Sequence, residues 1–165
     1  MKALQRLMLI LAACMLLAGT QFSNVMAGSL LQEQNYNPEA EAFIRDELLN
    51  GGSVDLSTEF ASETERTVRA EFIVSLWSDP AFENLSVFKL SNVSVVGNLD
   101  ASGISIPFNV GFENCTFNGY IDLDGASTKT FRLDKCTVNG AVKMGRLKVD
   151  GDLALYQSTF NSKVT

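Results

Sequence analysis

From Phe88 onward, apolar residues recur in pairs with one polar residue between them, and the pairs themselves return at regular intervals. The chain divides into FKLSNVSVVGN, LDASGISIPFN, VGFENCTFNGY, IDLDGASTKT, FRLDKCTVNGA, VKMGRLKVDGD and LALYQSTFNSK. Each segment has eleven residues except the fourth, which has ten. Positions 1, 3, 6 and 8 are apolar throughout, apart from Thr128 and Ser158. Alternation of period two marks a strand with one face turned to a core. Each segment is therefore two short strands, with Lys89, Asp100, Gly111, Asp122, Arg132, Lys143 and Ala154 facing out of the first and Ser94, Ser105, Thr116, Ser127, Thr137, Lys148 and Thr159 out of the second. Between strands stand Asn92, Gly103, Asn114 and Gly125, then Gly97, Gly119, Gly140 and Gly151, residues that take corner conformations readily.

A unit of this size cannot bury its apolar face alone, so successive units must wind and stack. Two segments, about 22 residues, suffice for one coil, with coils about 4.8 Å apart. Upstream, Asn37-Pro38 with Glu39 and Glu41 opens a helix that runs to about Asn50 and stops at Gly51-Gly52. Ser62 and Glu65 have capping-box spacing and predict a second helix, ending before Asp79-Pro80. Between the helices, residues 53–57 (SVDLS) are a candidate first rung. The expected organisation is a signal peptide over 1–27, a helical N-terminal capping segment over 28–87 and β-solenoid repeats over 88–165. The helices would cover strand edges left open at the start of the solenoid.

FRLDK followed by CTVNG, and VKMGR followed by LKVDG, resemble paired pentapeptide repeats with one residue added per pair. The run VVGNLDASGISIPFNVGFENCTFNGYIDLDGA, with VDGDLAL beyond it, is similar to the GDLDLSGA units of bacterial pentapeptide-repeat-like proteins. The resemblance covers residues 88–165. It implies a mainly β fold, a right-handed parallel β-helix of eleven-residue half-coils with a short α-helical cap, and carries almost no information about activity.

The amino terminus gives an address. Lys2 and Arg6 precede the apolar run Leu7 to Ala18, and QFSNVMA ends on the small residue Ala27. This is the pattern of a secretory signal cleaved after Ala27; the apolar run is shorter than the roughly 20 residues of a membrane span. The alternative is a lipoprotein, because LAAC places Cys14 as a lipidation candidate. Export to the periplasm or beyond is expected, with membrane attachment only if Cys14 is lipidated or the signal is retained. Losing residues 1–27 removes two cations and no acid, taking the formal net charge from −6 to −8. Such an acidic surface argues against nucleic acid or anionic lipid as a partner. Histidine is absent, which removes the commonest general base and the commonest zinc ligand.

The remaining chemistry is sparse. Cys115 and Cys136 share position 6 one coil apart and are read as reduced core thiols, with a disulfide as the alternative. Ser94, Thr116, Thr137 and Thr159 form one outward hydroxyl column. Glu113 and Asp134 stack one coil apart, and two carboxylates about 5 Å apart are the arrangement of a retaining glycosidase; Arg132 and Lys135 beside them fit a solvated charged edge instead. Asp100 and Asp122 are similar neighbours and would hold calcium weakly at best. No cofactor or metal is expected.

The pattern thus predicts a non-enzymatic β-solenoid of the bacterial envelope, acting as an interaction or scaffold surface for a protein or envelope component. A carbohydrate-binding or carbohydrate-cleaving protein using Glu113, Asp134, Thr116 and Thr137 is the alternative. The last rung, ending at Val164-Thr165, is an edge on which end-to-end self-association is expected.

Overall fold

A computed structural model describes residues 36–165; the signal segment and Cys14 lie outside the described residues. The chain forms a β-solenoid of about three turns, all of whose strand pairs are parallel. Helix α1 (Pro38–Asn50) and strand β1 (Ser53–Asp55) lead to β2 (Thr67–Arg69) and helix α2 (Ala70–Trp77). The regular winding then runs through β3 (Val87–Ser91), β4 (Ser94–Val96), β5 (Leu99–Asp100), β6 (Ser105–Glu113), β7 (Thr116–Phe117), β8 (Ile121–Asp122) and β9 (Ser127–Asp134). It closes with β10 (Thr137–Val138), β11 (Val142–Lys143), β12 (Lys148–Val149), β13 (Leu153–Tyr156) and β14 (Thr159–Phe160). One sheet takes β1, β3, β6 and β9, with β12 and β13 both on β9; a second runs β2-β4-β7-β10-β14 and a third β5-β8-β11.

Register fixes the coil. Ser91 pairs with Glu113, Glu113 with Asp134 and Asp134 with Tyr156, steps of 22, 21 and 22 residues. The short step belongs to the ten-residue segment, and the ladder slips there, between Ile106↔Thr128 and Asn109↔Thr130. Thr128, one of the two polar exceptions at inward positions, is buried at this slip. Its hydroxyl lies 3.0 Å from the carbonyls of both Phe108 and Thr130, so the irregular backbone keeps a partner. The other exception, Ser158, accepts the Cys136 N–H at 3.1 Å and donates to the Tyr156 carbonyl at 3.0 Å.

Besides the left-handed glycines Gly103 and Gly125, two corner columns turn the chain. Asn92, Asn114, Lys135 and Gln157 stack in one column, all with left-handed φ of 48–58°. At the other, successive coils approach so closely that a Cβ on Gly140 would sit 2.5 Å from the backbone of Gly119 and Tyr120. Between them the core is a phenylalanine stack: Phe112 has ring centroids 6.1 Å from Phe88, 5.0 Å from Phe117 and 6.3 Å from Phe131.

The expected first rung forms: β1 pairs with β3, and the corner Asn92 donates to the Asp55 carboxylate at 2.8 Å. The second helix starts later than its capping box predicts. Ser62 and Glu65 do bond reciprocally, Ser62 N–H to the Glu65 carboxylate at 2.9 Å and Glu65 N–H to the Ser62 hydroxyl at 3.3 Å. They close a single turn, after which Thr67, Val68 and Arg69 extend to pair with Ser94, Val95 and Val96. The β-branched Thr67 and Val68 complete a rung with a buried inner face, and that tertiary gain overrides the local helix signal. Helix α2 follows β2 and packs on β5, taking the place of a third-sheet strand in the first coil, with Trp77 edge-on to Phe88 at 5.8 Å. Helix α1 lies against β1 and β2. Asn37 caps it as expected, and Glu41, buried in its first turn, meets the Arg69 guanidinium at 2.6 Å.

Candidate functional site

The outer face of the first sheet carries a concavity. Its strands place Val87, Asn109 and Thr130 in one cross-coil column, Lys89, Gly111 and Arg132 in the next, and Ser91, Glu113 and Asp134 in a third. Gly111 has no side chain to fill the middle of this array. The result is a cleft of about 300 Å³ floored by the Val110–Phe112 backbone and walled by Lys89, Asn109, Glu113, Thr130, Arg132 and Asp134.

The charges around this cleft are mostly engaged. Lys89 crosses diagonally to Glu113, ammonium to carboxylate at 2.7 Å. That contact holds the Glu113 carboxyl below the usual glutamate range. Arg132 leans the other way, its guanidinium 5.8 Å from the ring centre of the exposed Tyr156. Both cations thereby leave the space over Gly111 open. Asp134 has no cation within ion-pair distance among the described residues, so its carboxylate is free to accept hydrogen bonds. Asn109 donates to the Ser86 carbonyl at 3.1 Å, which leaves its side-chain oxygen as an acceptor at the rim.

Glu113 and Asp134 are register partners one coil apart on this wall. A glycosidase pair needs one carboxyl ionised and the other kept protonated as an acid; Glu113 is stabilised in its ionised form by Lys89. Thr116 and Thr137 lie on the second sheet, in register with Ser94 and Thr159 as one hydroxyl column. They belong to a different face from the carboxylates. Beside them runs an amide ladder absent from the expectations: Asn161 donates to Asn139 at 2.8 Å and Asn139 to Asn118 at 3.1 Å. Its signal was the recurrence of Asn at position 9 in three segments. A smaller recess of about 230 Å³ lies between Arg66, Asn92, Ser94, Asn114 and Thr116, and the buried Arg66 Nε has no hydrogen-bond partner.

Cys115 and Cys136 are buried free thiols. Each points at backbone carbonyls, Cys115 at that of Glu113 (3.3 Å) and Cys136 at that of Phe112 (3.4 Å). Burial pushes the Cys115 thiol well above its ordinary range, the opposite of what a nucleophile needs. On the third sheet Asp122 pairs with Lys143 at 2.8 Å, Asp100 accepts from the Ser102 hydroxyl at 2.7 Å, and in the turn beyond Asp122 the Asp124 carboxylate pairs with Arg146 at 2.7 Å. No group of three or more His, Cys, Asp or Glu side chains with metal-site geometry exists among the described residues.

Fold and face together define a β-solenoid in which several outward polar groups bridge one coil to the next. No protein-family model matches the chain, no curated protein matches it, and no solved structure matches it.

Proposed function

We propose that the protein is an exported, non-enzymatic recognition scaffold of the bacterial envelope, a pentapeptide-repeat-like solenoid that presents the outer face of its first sheet to a protein or envelope component. The observation that carries this reading is the fate of the outward charges. Lys89–Glu113 on that face, and Asp122–Lys143 and Asp124–Arg146 elsewhere on the solenoid, each tie one coil to its neighbour and hold these side chains in place. A stiff, patterned face is a good binding surface because little side-chain entropy is lost when a partner docks. The two-segment coil of 21 or 22 residues supports the repeat-family reading, and the signal pattern over 1–27 supports export.

Two measurements test it. Intact mass of the protein recovered from an expressing bacterium should show loss of residues 1–27 and recovery from the periplasm; a full-length chain in the cytoplasm would overturn export. A photo-crosslinking residue introduced at Val87, on the first-sheet face, should give a discrete adduct in envelope fractions, and the same residue at Thr137 should not. Equal labelling from both faces, or none from either, would remove the assignment of that face.

A further inference from the structure

The fold gives no reason for a glycine at position 111. It sits in the middle of β6, its φ is not in the left-handed region, and it faces outward between Lys89 and Arg132. A Cβ there would have only the Lys89 Cγ near it, at 3.8 Å, an ordinary contact. Glycine in a strand interior weakens the strand and commonly marks a close approach by something else. Gly119 and Gly140 contrast with it, because coil packing excludes any side chain at those corners. What the missing side chain at 111 creates is the cleft itself.

We propose that this cleft binds a neutral saccharide unit, a pyranose ring lying on the Val110–Phe112 backbone. The inference deepens the recognition-surface reading and rests on it. Its lining holds two cations and two carboxylates, which balance in charge and favour neither an anion nor a cation. The free Asp134 carboxylate, the Asn109 side-chain oxygen and the Thr130 hydroxyl supply the convergent acceptors and donors that vicinal hydroxyls require. Half-exposed Val87 at the rim offers an apolar contact for the C–H face of a ring. The cleft's volume, about 300 Å³, is at the small end of ligand pockets and suits one ring of a chain. An open site of this kind should bind on the order of 1 mM.

The experiment is a titration of the ¹⁵N-labelled mature protein with maltose, cellobiose, lactose, N,N′-diacetylchitobiose and, separately, glucuronate, read by amide shifts. At least one neutral disaccharide should move the Val110, Gly111 and Phe112 amides in a saturable way. Gly111→Val should abolish those shifts while leaving the protein at least as stable as the parent, Asp134→Asn should weaken them several-fold, and Thr137→Val should leave them unchanged. Shifts that persist in Gly111→Val place the binding elsewhere and overturn the proposal. Preference for glucuronate over the neutral sugars overturns the ligand class. Silence with all five probes also overturns the saccharide inference, yet leaves the recognition surface standing if the Val87 crosslink forms. Loss of that crosslink together with silence removes both.

Discussion

Replacing Gly140 by alanine should be among the most damaging small changes in this protein, although Gly140 is neither apolar nor fully buried. An alanine Cβ would lie 2.5 Å from the carbonyl carbon and oxygen of Gly119 and from the Tyr120 nitrogen. Comfortable carbon contacts lie at about 3.5–4.0 Å, so the coils must part locally by about 1 Å. The Gly140 N–H to Gly119 carbonyl bond, 3.2 Å long, does not survive such a separation. Its loss costs about 1 kcal/mol, and overpacking against main chain that cannot swing aside adds about 1–3 kcal/mol. Against this stands a gain of about 0.5–1 kcal/mol from the stiffer unfolded chain. The net expectation is about 2–3 kcal/mol of destabilisation, or roughly 10 °C in melting temperature for a domain of this size. Urea unfolding followed by far-ultraviolet circular dichroism and by fluorescence of the single Trp77 measures it. Gly111→Ala is the internal control, since its Cβ meets only a lysine stem at 3.8 Å and should stabilise by about 0.5–1 kcal/mol. If the two substitutions shift the urea midpoint in the same direction, the account of coil-to-coil approach at that corner is wrong.

Other consequences are measurable with the same assay. Lys135 and Gln157 occupy left-handed corners that the column's earlier coils give to Asn92 and Asn114. Lys135→Asn and Gln157→Asn should therefore each raise stability, by up to about 1 kcal/mol, and a loss from either would contradict the strain argument. Thr128→Val keeps the shape of the side chain but takes the hydroxyl from the Phe108 and Thr130 carbonyls; it should cost about 1–2 kcal/mol, and a neutral result would mean that those carbonyls find other partners. The carboxyl of Glu113 is lowered by Lys89, that of Asp100 by the Ser102 hydroxyl and that of Asp124 by Arg146. Acids with lowered folded-state pKa values contribute stability that is complete above the unfolded values, about pH 4–5, and lost as pH falls through the folded ones. The urea midpoint should hold level from pH 8 to 6 and decline below about pH 4.5, less steeply in high salt. A midpoint that rises on acidification would show that these ion pairs do not stabilise the fold.

The solenoid was legible because its rule is local and repeated. Inward positions 1, 3, 6 and 8 predict the buried sides of Phe88, Leu90, Val93 and Val95, and the structure buries all four; in the last segment the rule fails, because Leu153 is 46% exposed and the outward-assigned Ala154 is buried. Even the two exceptions were visible as exceptions; in the structure Thr128 sits at the register slip of the short segment. The second helix was misplaced because a capping box is a statement about one turn, whereas the fate of Thr67 to Arg69 depends on β4, more than twenty residues away in the chain. Lys89–Glu113 was beyond sequence reasoning for a related reason. The register places Lys89 beside Gly111, one column away from Glu113, so the ion pair runs diagonally and is not one that register partners name.

Gly111 itself shows where pattern and chemistry part. The repeat asks only that position 2 face outward, a condition that glycine, lysine and arginine meet equally well. Stability prefers a β-branched or long side chain there, to shield the sheet and join the column. A glycine at an outward position with ordinary backbone geometry and free space above it is therefore a departure that the fold does not require. In a solenoid each coil contacts only its neighbours, so such a departure weakens one rung without unravelling the others. That locality lets a rigid repeat carry a notch in the middle of a face. It is also why the notch is worth testing by filling it: Gly111→Val separates the stability of the rung from the binding of the face, because the two should move in opposite directions.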